Sequence, residues 1–387
     1  MPGVVPVAGR ASVVVTDAAD SSALNRVRES IRDAIRDASA AGRPLRLCGR
    51  GAWMDAGRPA PASDLLELGG YTGIVEYVPG DLTITVRGGT TLGEIRDATA
   101  AHDQWLPLDP FGDDDGSIGA TVATASSGPL ATFFGTPRDL VLGLEFVSGT
   151  GAIARGGGRV VKNVAGFDLT RLMIGSWGTL GAITEATLRL YARPEADASF
   201  AIGIDGGGVE RVRALMRQVP FKTYACEILN AALAARIGLP AATTALVRLG
   251  GNHEAVATQR QAFAELGTPV DVDSAIWKKL RGVEPEGASV VRLSDLPTAV
   301  AAVWAAAARV PNVLVHASPA RGVVRVIGDA SLDIAALRDG QCAMVAERLS
   351  AAQWEQVPGL EGALPSRIKR AFDPRNVLNP GILGVEA

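Results

Sequence analysis

Apolar residues near the start of the chain recur every three or four positions, and shorter stretches behind them alternate between apolar and polar. The first pattern predicts a helix over 24–38 that ends before Gly42. The second predicts strands over 45–48, 74–78 and 82–86. Thr91 then begins a further helix, because Glu94 stands where a capping box needs an acidic residue. Helices and strands therefore alternate in this part of the chain.

The alternation continues through the middle of the chain. Residues 140–147, a glycine-rich turn and residues 152–154 predict a hairpin, and Asp168 predicts the start of a short helix that Gly175 closes. Residues 182–190 alternate strongly and predict a strand. The pattern loosens over 195–208, and the helices predicted beyond it lie near 209–218, 254–266 and 295–308. A second domain is expected to begin at this change of pattern.

Composition and charge narrow the class of protein. The chain has 387 residues, of which 47% are hydrophobic, enough for a sizeable core in a soluble globular protein. The formal net charge is −3 and the basic residues are scattered, which argues against binding to nucleic acid. No apolar stretch reaches about 18 residues and the N-terminus lacks the pattern of a secretion signal, so neither a membrane span nor a leader is expected.

The cysteines are also informative. Cys48, Cys226 and Cys342 are far apart in the sequence and form no C-x-x-C pair. They therefore offer no ligand set for zinc or for an iron–sulfur cluster, and no metal site is expected. Free, dispersed cysteines fit a reducing compartment.

The first candidate site is the loop LCGRGAWMDAGRP at 47–59, which follows a predicted strand. It is not a dinucleotide fingerprint, because Met54 occupies the place of the third glycine and Pro59 and Pro61 exclude a helix directly behind it. Two interpretations stay open. The amide groups of residues 50–55 form a nest around an anion, or the loop is an ordinary glycine-rich turn between two strands.

The second candidate site is LPLDPFGDDDGSIGATVATASSG at 106–128, which joins a Pro-x-Asp-Pro turn to a run of small residues. Small side chains let a flat ligand approach the main chain closely. The run over 118–127 is equally consistent with a buried helix packed against a sheet. Spacing alone does not decide between these two interpretations.

The order of the motifs does decide, because it resembles the FAD-binding domain of the vanillyl-alcohol oxidase and D-lactate dehydrogenase superfamily, the p-cresol methylhydroxylase (PCMH) type. Five motifs follow the loop in the order of that family: GSIGATVAT at 116–124, GTPRDLVLGLE at 135–145, KNVAGFDL at 162–169, IGSWGTLGAIT at 174–184 and FDPRNVLNPG at 372–381. The resemblance implies an α+β fold. A two-lobed FAD-binding domain would occupy 1–194, with lobes of about 1–70 and 71–194. A smaller α+β cap would occupy 195–365, and residues 366–387 would return to the FAD domain.

One departure narrows the resemblance. Hydroxy-acid members of the superfamily have an acidic residue where this chain has Trp177. Together with the KNVAGFDL stretch and a short cap, this makes the chain similar to the smaller FAD-binding subunit of the bacterial three-subunit glycolate oxidases. That resemblance implies oxidation of a 2-hydroxy acid, glycolate to glyoxylate, or electron relay in a complex. The alternatives are a non-catalytic assembly subunit and a free-standing FAD-dependent 2-hydroxy-acid dehydrogenase.

The same resemblance implies partners and a location. The partners would be a sibling FAD subunit and an iron–sulfur subunit, and the substrate a small 2-hydroxy acid. The location would be the cytoplasm, with the inner membrane reached only through the partners. Substrate identity, stoichiometry and the electron acceptor are left open.

The resemblance also implies which residues hold the cofactor. The FAD should be non-covalent, because Trp53 and Ser127 stand where covalent members place His or Cys. Ile382 follows Gly381 where relatives have Lys or Arg, so one charged cofactor contact is in doubt. The implied cofactor residues are Arg50, Gly51, Ala52, Trp53, Met54, Asp55, Pro107, Ser117, Ile118, Gly119, Ala120, Ala123, Thr124, Ser127, Gly128, Gly135, Ile183 and Asn379.

A catalytic base is harder to find. Oxidation of a 2-hydroxy acid needs a base for the hydroxyl proton and a cation for the carboxylate. The histidines are His102, His253 and His316, and for each a position on the surface or at a helix end is favoured. His316 is the candidate if a base exists. Three dispersed histidines cannot form the metal-holding cluster of catalytic relatives, so the primary chemistry is expected in a sibling subunit.

Overall fold

The computed structural model describes residues 21–59, 64–158, 168–205, 207–218, 223–338, 342–360 and 362–384. Most of the KNVAGFDL motif, residues 162–167, therefore lies outside the described residues. In the described part of the chain, no helix combines the length and the apolar character that crossing a bilayer requires.

The strands of the described residues are, in chain order, β1 (Leu45–Cys48), β2 (Asp64–Glu67), β3 (Ile74–Val78), β4 (Thr83–Arg87), β5 (Gln104–Trp105), β6 (Val141–Ser148), β7 (Ile153–Gly157), β8 (Gly181–Arg189), β9 (Tyr191–Ala192), β10 (Ala196–Gly203), β11 (Ala225–Leu229), β12 (Thr244–Gly251), β13 (Val270–Asp271), β14 (Ser289–Ser294), β15 (Leu314–Ser318), β16 (Val323–Gly328) and β17 (Ala343–Arg348).

The α-helices of the same residues are α1 (Ser21–Ala41), α2 (Leu92–Ala100), α3 (Ile118–Thr124), α4 (Ala131–Phe134), α5 (Pro137–Leu140), α6 (Leu169–Met173), α7 (Gly208–Gln218), α8 (Ala231–Arg236), α9 (His253–Phe263), α10 (Ile276–Arg281), α11 (Val300–Ala307), α12 (Ile334–Arg338), α13 (Ala351–Trp354) and α14 (Ala363–Phe372).

A five-stranded sheet and two pairs of short strands, β1–β2 and β5–β9, organise the described residues before residue 195. Strands β1 and β2 pair in parallel, and the five-stranded antiparallel sheet has the order β3-β4-β8-β6-β7. The predicted capping box is confirmed, since the Thr91 side chain accepts from the Glu94 amide and the Glu94 carboxylate accepts from the Thr91 amide. The predicted hairpin and the helix that begins after Asp168 are confirmed as well.

A second, eight-stranded sheet contains strands β10 to β17, in the order β13-β10-β12-β11-β15-β16-β14-β17. The interpretation of residues 195–208 as a loose, glycine-rich segment is wrong over its first half, because β10 pairs with β12 along its whole length. Its alternating positions are Ala196, Ala198 and Phe200, and small alanines give little hydrophobic contrast. The mixed helix and sheet fold predicted from the resemblance is confirmed.

The C-terminal segment lies against the first sheet. Leu378 forms a parallel bridge with Leu45, and the Asn379 amide donates to the Leu45 carbonyl at 2.9 Å. The ammonium of Lys369 is buried and donates to the carbonyls of Thr179 and Leu378, both at 2.8 Å. These contacts bring the last described residues next to β1, although the domain bounds predicted from the sequence stay predictions.

Candidate functional site

A cavity lies between the end of β1, helix α3 and the C-terminal segment, and we call it the loop cavity. It brings together twelve of the cofactor residues implied by the sequence: Arg50, Gly51, Ala52, Trp53, Met54, Ser117, Gly119, Ala120, Ala123, Thr124, Ile183 and Asn379.

Arg46 organises the loop that forms one wall of this cavity. Its Nη2 donates to the carbonyl of Ala56 at 3.2 Å and to those of Trp53 and Met54 at 3.4 Å. Its Nη1 is buried and has no hydrogen-bond partner among the described residues. Burial lowers the pKa of the Arg46 guanidinium. A buried, half-satisfied guanidinium attracts an anion, so the loop fits the pyrophosphate of FAD.

Glycines let the walls of the loop cavity approach each other closely. A Cβ on Gly119 would lie 2.8 Å from the Gly88 carbonyl oxygen, and one on Gly49 would collide with the Ser117 hydroxyl. Gly51 has a φ of +88°, a left-handed conformation that favours glycine in the loop. The loop, helix α3 and the segment at Gly88 therefore pack more closely than larger side chains at Gly49 and Gly119 would allow.

Helix α3 satisfies both interpretations of the small-residue run. Ile118 and Val122 are fully buried in the core, and α3 packs against β8. Ala120, Ala123 and Thr124 face the loop cavity instead. The run is therefore a helix packed on a sheet and a cavity wall at the same time, and Ile118 belongs to the core side.

The side chain of Asn379 bonds to the main chain of the cavity wall through both its polar atoms. Its Oδ1 accepts from the Leu47 amide at 2.8 Å, and its Nδ2 donates to the Trp177 carbonyl at 2.7 Å. The Trp177 ring packs edge-on against Trp53, with the ring centroids 6.0 Å apart. The aromatic residue that replaces an acidic one thus contacts the candidate phosphate loop.

The structure places the other implied residues outside the loop cavity. Asp55 is exposed and forms an ion pair with Arg348 at 3.0 Å. Pro107 is buried in the turn before α3, and Gly135 has a φ of +85° beside Asp139. Ser127 and Gly128 line a different pocket.

Sequence reasoning missed several described residues of the loop cavity. Gly49 had a visible signal in the glycine spacing, and Arg46 alternates with Leu45 and Leu47 on β1. Trp177, Gly178 and Gly181 lie in the motif at 174–184, and Ile382 directly follows the motif at 372–381, so these four also had a signal. Leu68 and Gly88 had none. The missed residues are Arg46, Leu47, Gly49, Leu68, Gly88, Trp177, Gly178, Gly181 and Ile382.

The second pocket, which we call the His316 pocket, lies where Ser127 and Gly128 meet the eight-stranded sheet. His316 is only 3% exposed, so its interpretation as a surface or helix-end histidine is wrong. Its Nδ1 lies 2.7 Å from Oε2 of Glu227, and Ser318 donates to the other oxygen of that carboxylate. By contrast, His253 does begin helix α9, and its side chain is 78% exposed.

The Glu227 carboxylate fixes the chemistry of His316. An ionised carboxylate only accepts hydrogen bonds, so Nδ1 of His316 carries the hydrogen and donates a hydrogen bond to the Glu227 carboxylate. In the neutral imidazole, Nε2 is then an acceptor. This Nε2 is buried and has no partner among the described residues. The imidazole is therefore held by one nitrogen and free to take a proton at the other.

Arg321 supplies a cation to the same pocket. Its guanidinium donates to the Gly128 carbonyl at 3.2 Å and to the Ser127 hydroxyl at 3.4 Å. Within the described ranges it forms no ion pair, and burial lowers the pKa of the guanidinium. Because a buried charge without a counter-ion is costly, this guanidinium favours binding of an anion such as a substrate carboxylate.

A groove connects the loop cavity and the His316 pocket. Thr124 borders both the loop cavity and the groove, and Arg292 borders both the groove and the His316 pocket. A ligand that begins at the 50–55 loop and follows α3 would therefore end beside His316. Across the described residues, no group of three or more His, Cys, Asp or Glu side chains could hold a metal ion.

Comparisons with known proteins agree with this geometry. Residues 25–157 match the family model described as an FAD binding domain. The chain is 39% identical over 174 residues to "Glycolate oxidase subunit GlcE" of Escherichia coli (strain K12), covering 44% of this chain and 48% of that protein. It is 43% identical over 123 residues to "Glycolate oxidase subunit GlcD" of Bacillus subtilis (strain 168), covering 32% and 26%.

The fold has close neighbours among solved structures. The crystal structure of p-cresol methylhydroxylase with substrate bound superposes with a TM-score of 0.72 at 17% identity, covering 93% of this chain and 87% of that chain. The fold is that of the PCMH-type FAD-binding proteins, and the cofactor is FAD. Over the matched regions, the chain is related in sequence to the glycolate oxidase subunits and contains an FAD binding domain. It spans about half the length of the first of these relatives and about a quarter of the second.

Proposed function

We propose that this chain is the FAD-binding subunit of a glycolate oxidase-type complex and that it oxidises a small 2-hydroxy acid, glycolate to glyoxylate, in the His316 pocket. One observation carries the proposal. The buried Nε2 of His316 and the half-buried guanidinium of Arg321, neither in an ion pair among the described residues, line the same pocket beside Ser127 and Gly128. The loop cavity would hold the FAD, with its pyrophosphate against residues 50–55 and its ring along 117–128.

FAD, when bound, supplies the acceptor for the hydride that leaves the substrate carbon. The chain supplies the remaining groups. Arg321 binds the substrate carboxylate, and His316 takes the hydroxyl proton at Nε2. Glu227 stabilises the imidazolium that results, since it accepts from Nδ1 at 2.7 Å.

The flavin would be bound without a covalent link. The described residues that line the loop cavity include no histidine or cysteine. Acid precipitation of the FAD-loaded chain should therefore leave the flavin in the supernatant, and a yellow pellet would contradict this part of the proposal.

The decisive experiment is anaerobic mixing of the isolated, FAD-loaded chain with glycolate, D-lactate and D-2-hydroxyglutarate, followed by the loss of flavin absorbance. We expect flavin reduction by at least one of them, with His316→Ala slowing it by about 10²–10⁴-fold, the usual contribution of a general base. His253→Ala is the matched control, since that side chain is exposed.

Two results would overturn the catalytic part of the proposal. Reduction at an unchanged rate in His316→Ala would remove the assigned base. No reduction by the isolated chain, together with activity of the assembled complex, would favour electron relay or assembly as the role of this subunit. Rapid reduction together with full turnover of the chain alone, without partners, would favour a free-standing dehydrogenase.

The partners are part of the same proposal. Two relatives are named as subunits of glycolate oxidase, which supports assembly with further subunits. From the sequence resemblance, we propose that these are a sibling FAD subunit and an iron–sulfur subunit. The location we propose is the cytoplasm, with contact to the inner membrane only through those partners. Co-expression of the three chains with an affinity tag on this one tests the assembly.

A further inference from the structure

A line of ionic contacts crosses from the 50–55 loop to the His316 pocket. It begins at Arg348, the last residue of β17. The Arg348 Nε donates to the Asp55 carboxylate at 3.0 and 3.1 Å, and Nη2 donates to the Ala52 carbonyl at 3.1 Å. The guanidinium also lies over the Trp53 ring, 4.6 Å from its centroid. Arg348, on the eight-stranded sheet, thus contacts three residues of the 50–55 loop.

Glu284 is the middle of this line. Its Oε2 accepts from Nη1 of Arg348 at 2.6 Å, and its Oε1 accepts from Nε and Nη2 of Arg325 at 2.9 and 2.6 Å. The Glu284 side chain is only 11% exposed and that of Arg325 only 2%. Because each oxygen holds a different arginine, a shift of one arginine moves the carboxylate and with it the other arginine.

Arg325 ends the line at the His316 pocket. Its guanidinium lies 3.9 Å from the centroid of the Phe111 ring, whose centroid is 5.5 Å from that of His316. Burial by itself would lower the pKa of Arg325, but attraction to Glu284 and Glu347 outweighs it and raises the pKa. The Arg325 guanidinium is therefore charged in the folded chain, and its contact with Glu284 is an ion pair.

We infer that Glu284 is a positioning residue that couples occupancy of the 50–55 loop by FAD to the order of the His316 pocket. The inference rests on the proposed function for the roles of the loop and the pocket. When FAD fixes the loop, Arg348 is fixed with it, and Glu284 passes that restraint to Arg325 and Phe111. Coupling between two sites is reciprocal, so an ordered pocket also favours the bound flavin.

The test is hydrogen exchange of the full chain, measured with and without FAD, over residues 314–328. In the wild type, FAD should slow exchange in this segment by at least about fivefold, the lower range of coupling between sites. In Glu284→Gln, that FAD-dependent slowing should be largely lost. Each oxygen of the Glu284 carboxylate accepts from a different arginine. In Glu284→Gln, an NH2 group replaces one of these oxygens and faces an arginine that also donates, so the variant side chain can bind only one of the two arginines.

Comparing exchange with and without FAD distinguishes a positioning role of Glu284 from a general structural role. A merely structural role of Glu284 would speed exchange equally with and without FAD, and this result would overturn the inference. Arg348→Gln should reproduce the loss from the other end of the line, which keeps the test decisive if Glu284→Gln folds poorly. Asp271→Asn is the matched control, because it breaks the exposed pair with Arg260 elsewhere on the same sheet.

The outcome is independent of catalysis. If His316→Ala reduces flavin at the wild-type rate while Glu284→Gln still loses the FAD-dependent protection, the base assignment fails and the coupling stands. If the protection over 314–328 is the same in the wild type, Glu284→Gln and Arg348→Gln, the coupling fails even if His316 is the base.

Discussion

Asp109 gives the sharpest test of the electrostatics at the junction between the two sheets. The residue is half-buried in the turn before α3, and its Oδ2 accepts from the Leu130 amide at 3.0 Å. Burial raises the pKa of the carboxyl from 3.8 to about 6, although Arg281, Arg248 and Arg321 all act to lower it. The folded protein therefore binds the Asp109 proton more tightly than the unfolded chain does.

The sign and size of the effect on stability follow from this pKa. A rise from 3.8 to about 6 corresponds to at most about 3 kcal/mol of unfolding free energy. Because the pKa is raised in the folded state, this contribution is complete below about pH 4 and is lost as the pH rises to about 6. Above pH 6 the folded state carries an ionised carboxylate that is poorly solvated.

Asp109→Asn should remove that cost and keep the contact, since its amide oxygen can still accept from the Leu130 amide. We expect the variant to be more stable than the wild type at pH 8 by up to about 3 kcal/mol, with no gain at pH 4. Urea unfolding of both proteins at intervals between pH 4 and 8 measures the difference, with Asp271→Asn as an exposed control. A stability difference that does not change with pH, or that is largest at pH 4, would refute the reasoning.

Two further predictions concern the loop cavity. Gly51→Glu should weaken FAD binding at least about tenfold, because a side chain at its positive φ is strained and a carboxylate repels the pyrophosphate. Flavin fluorescence titration measures the affinity. The control is Gly203→Ser, on β10 with open space around it, which should leave the affinity unchanged. Asn379→Ala should lower the unfolding free energy by about 1–3 kcal/mol, because the Leu47 amide and the Trp177 carbonyl lose their partners. Thermal unfolding of the FAD-free chain checks it, and unchanged stability would mean that water replaces both contacts.

Local signals predicted the local structure well. The capping box at Thr91 and the alternation of β8 depend on residues within a few positions of each other, and both are confirmed. Strand β10 was not predicted, because its alanines are small and contrast little in hydrophobicity with the polar residues between them. Its place in the sheet also depends on pairing with β12, which lies more than 40 residues further along the chain.

The residues of the candidate site also fall into two groups, those with a local sequence signal and those without one. Residues 50–54 and the small-residue run had sequence signals, because their glycines and alanines stand close together in the sequence. The burial of His316 had none, since its partner Glu227 lies 89 residues away on another strand. Among the described residues, Arg46 Nη1 has no hydrogen-bond partner and Arg321 has hydrogen bonds but no ion pair. Both properties depend on which groups the fold leaves far from these side chains, and no spacing in the sequence encodes that.

The bond between Leu47 and Asn379 has a consequence for the synthesis of the protein. It joins residues 332 positions apart, and it fixes one wall of the loop cavity. A ribosome that has already released the 50–55 loop still has to translate both sheets before Asn379 emerges. We therefore expect the nascent chain to fold most of its core without flavin, and FAD to enter only after translation is nearly complete. Stability gained from the cofactor would then protect the finished protein but not its folding intermediates.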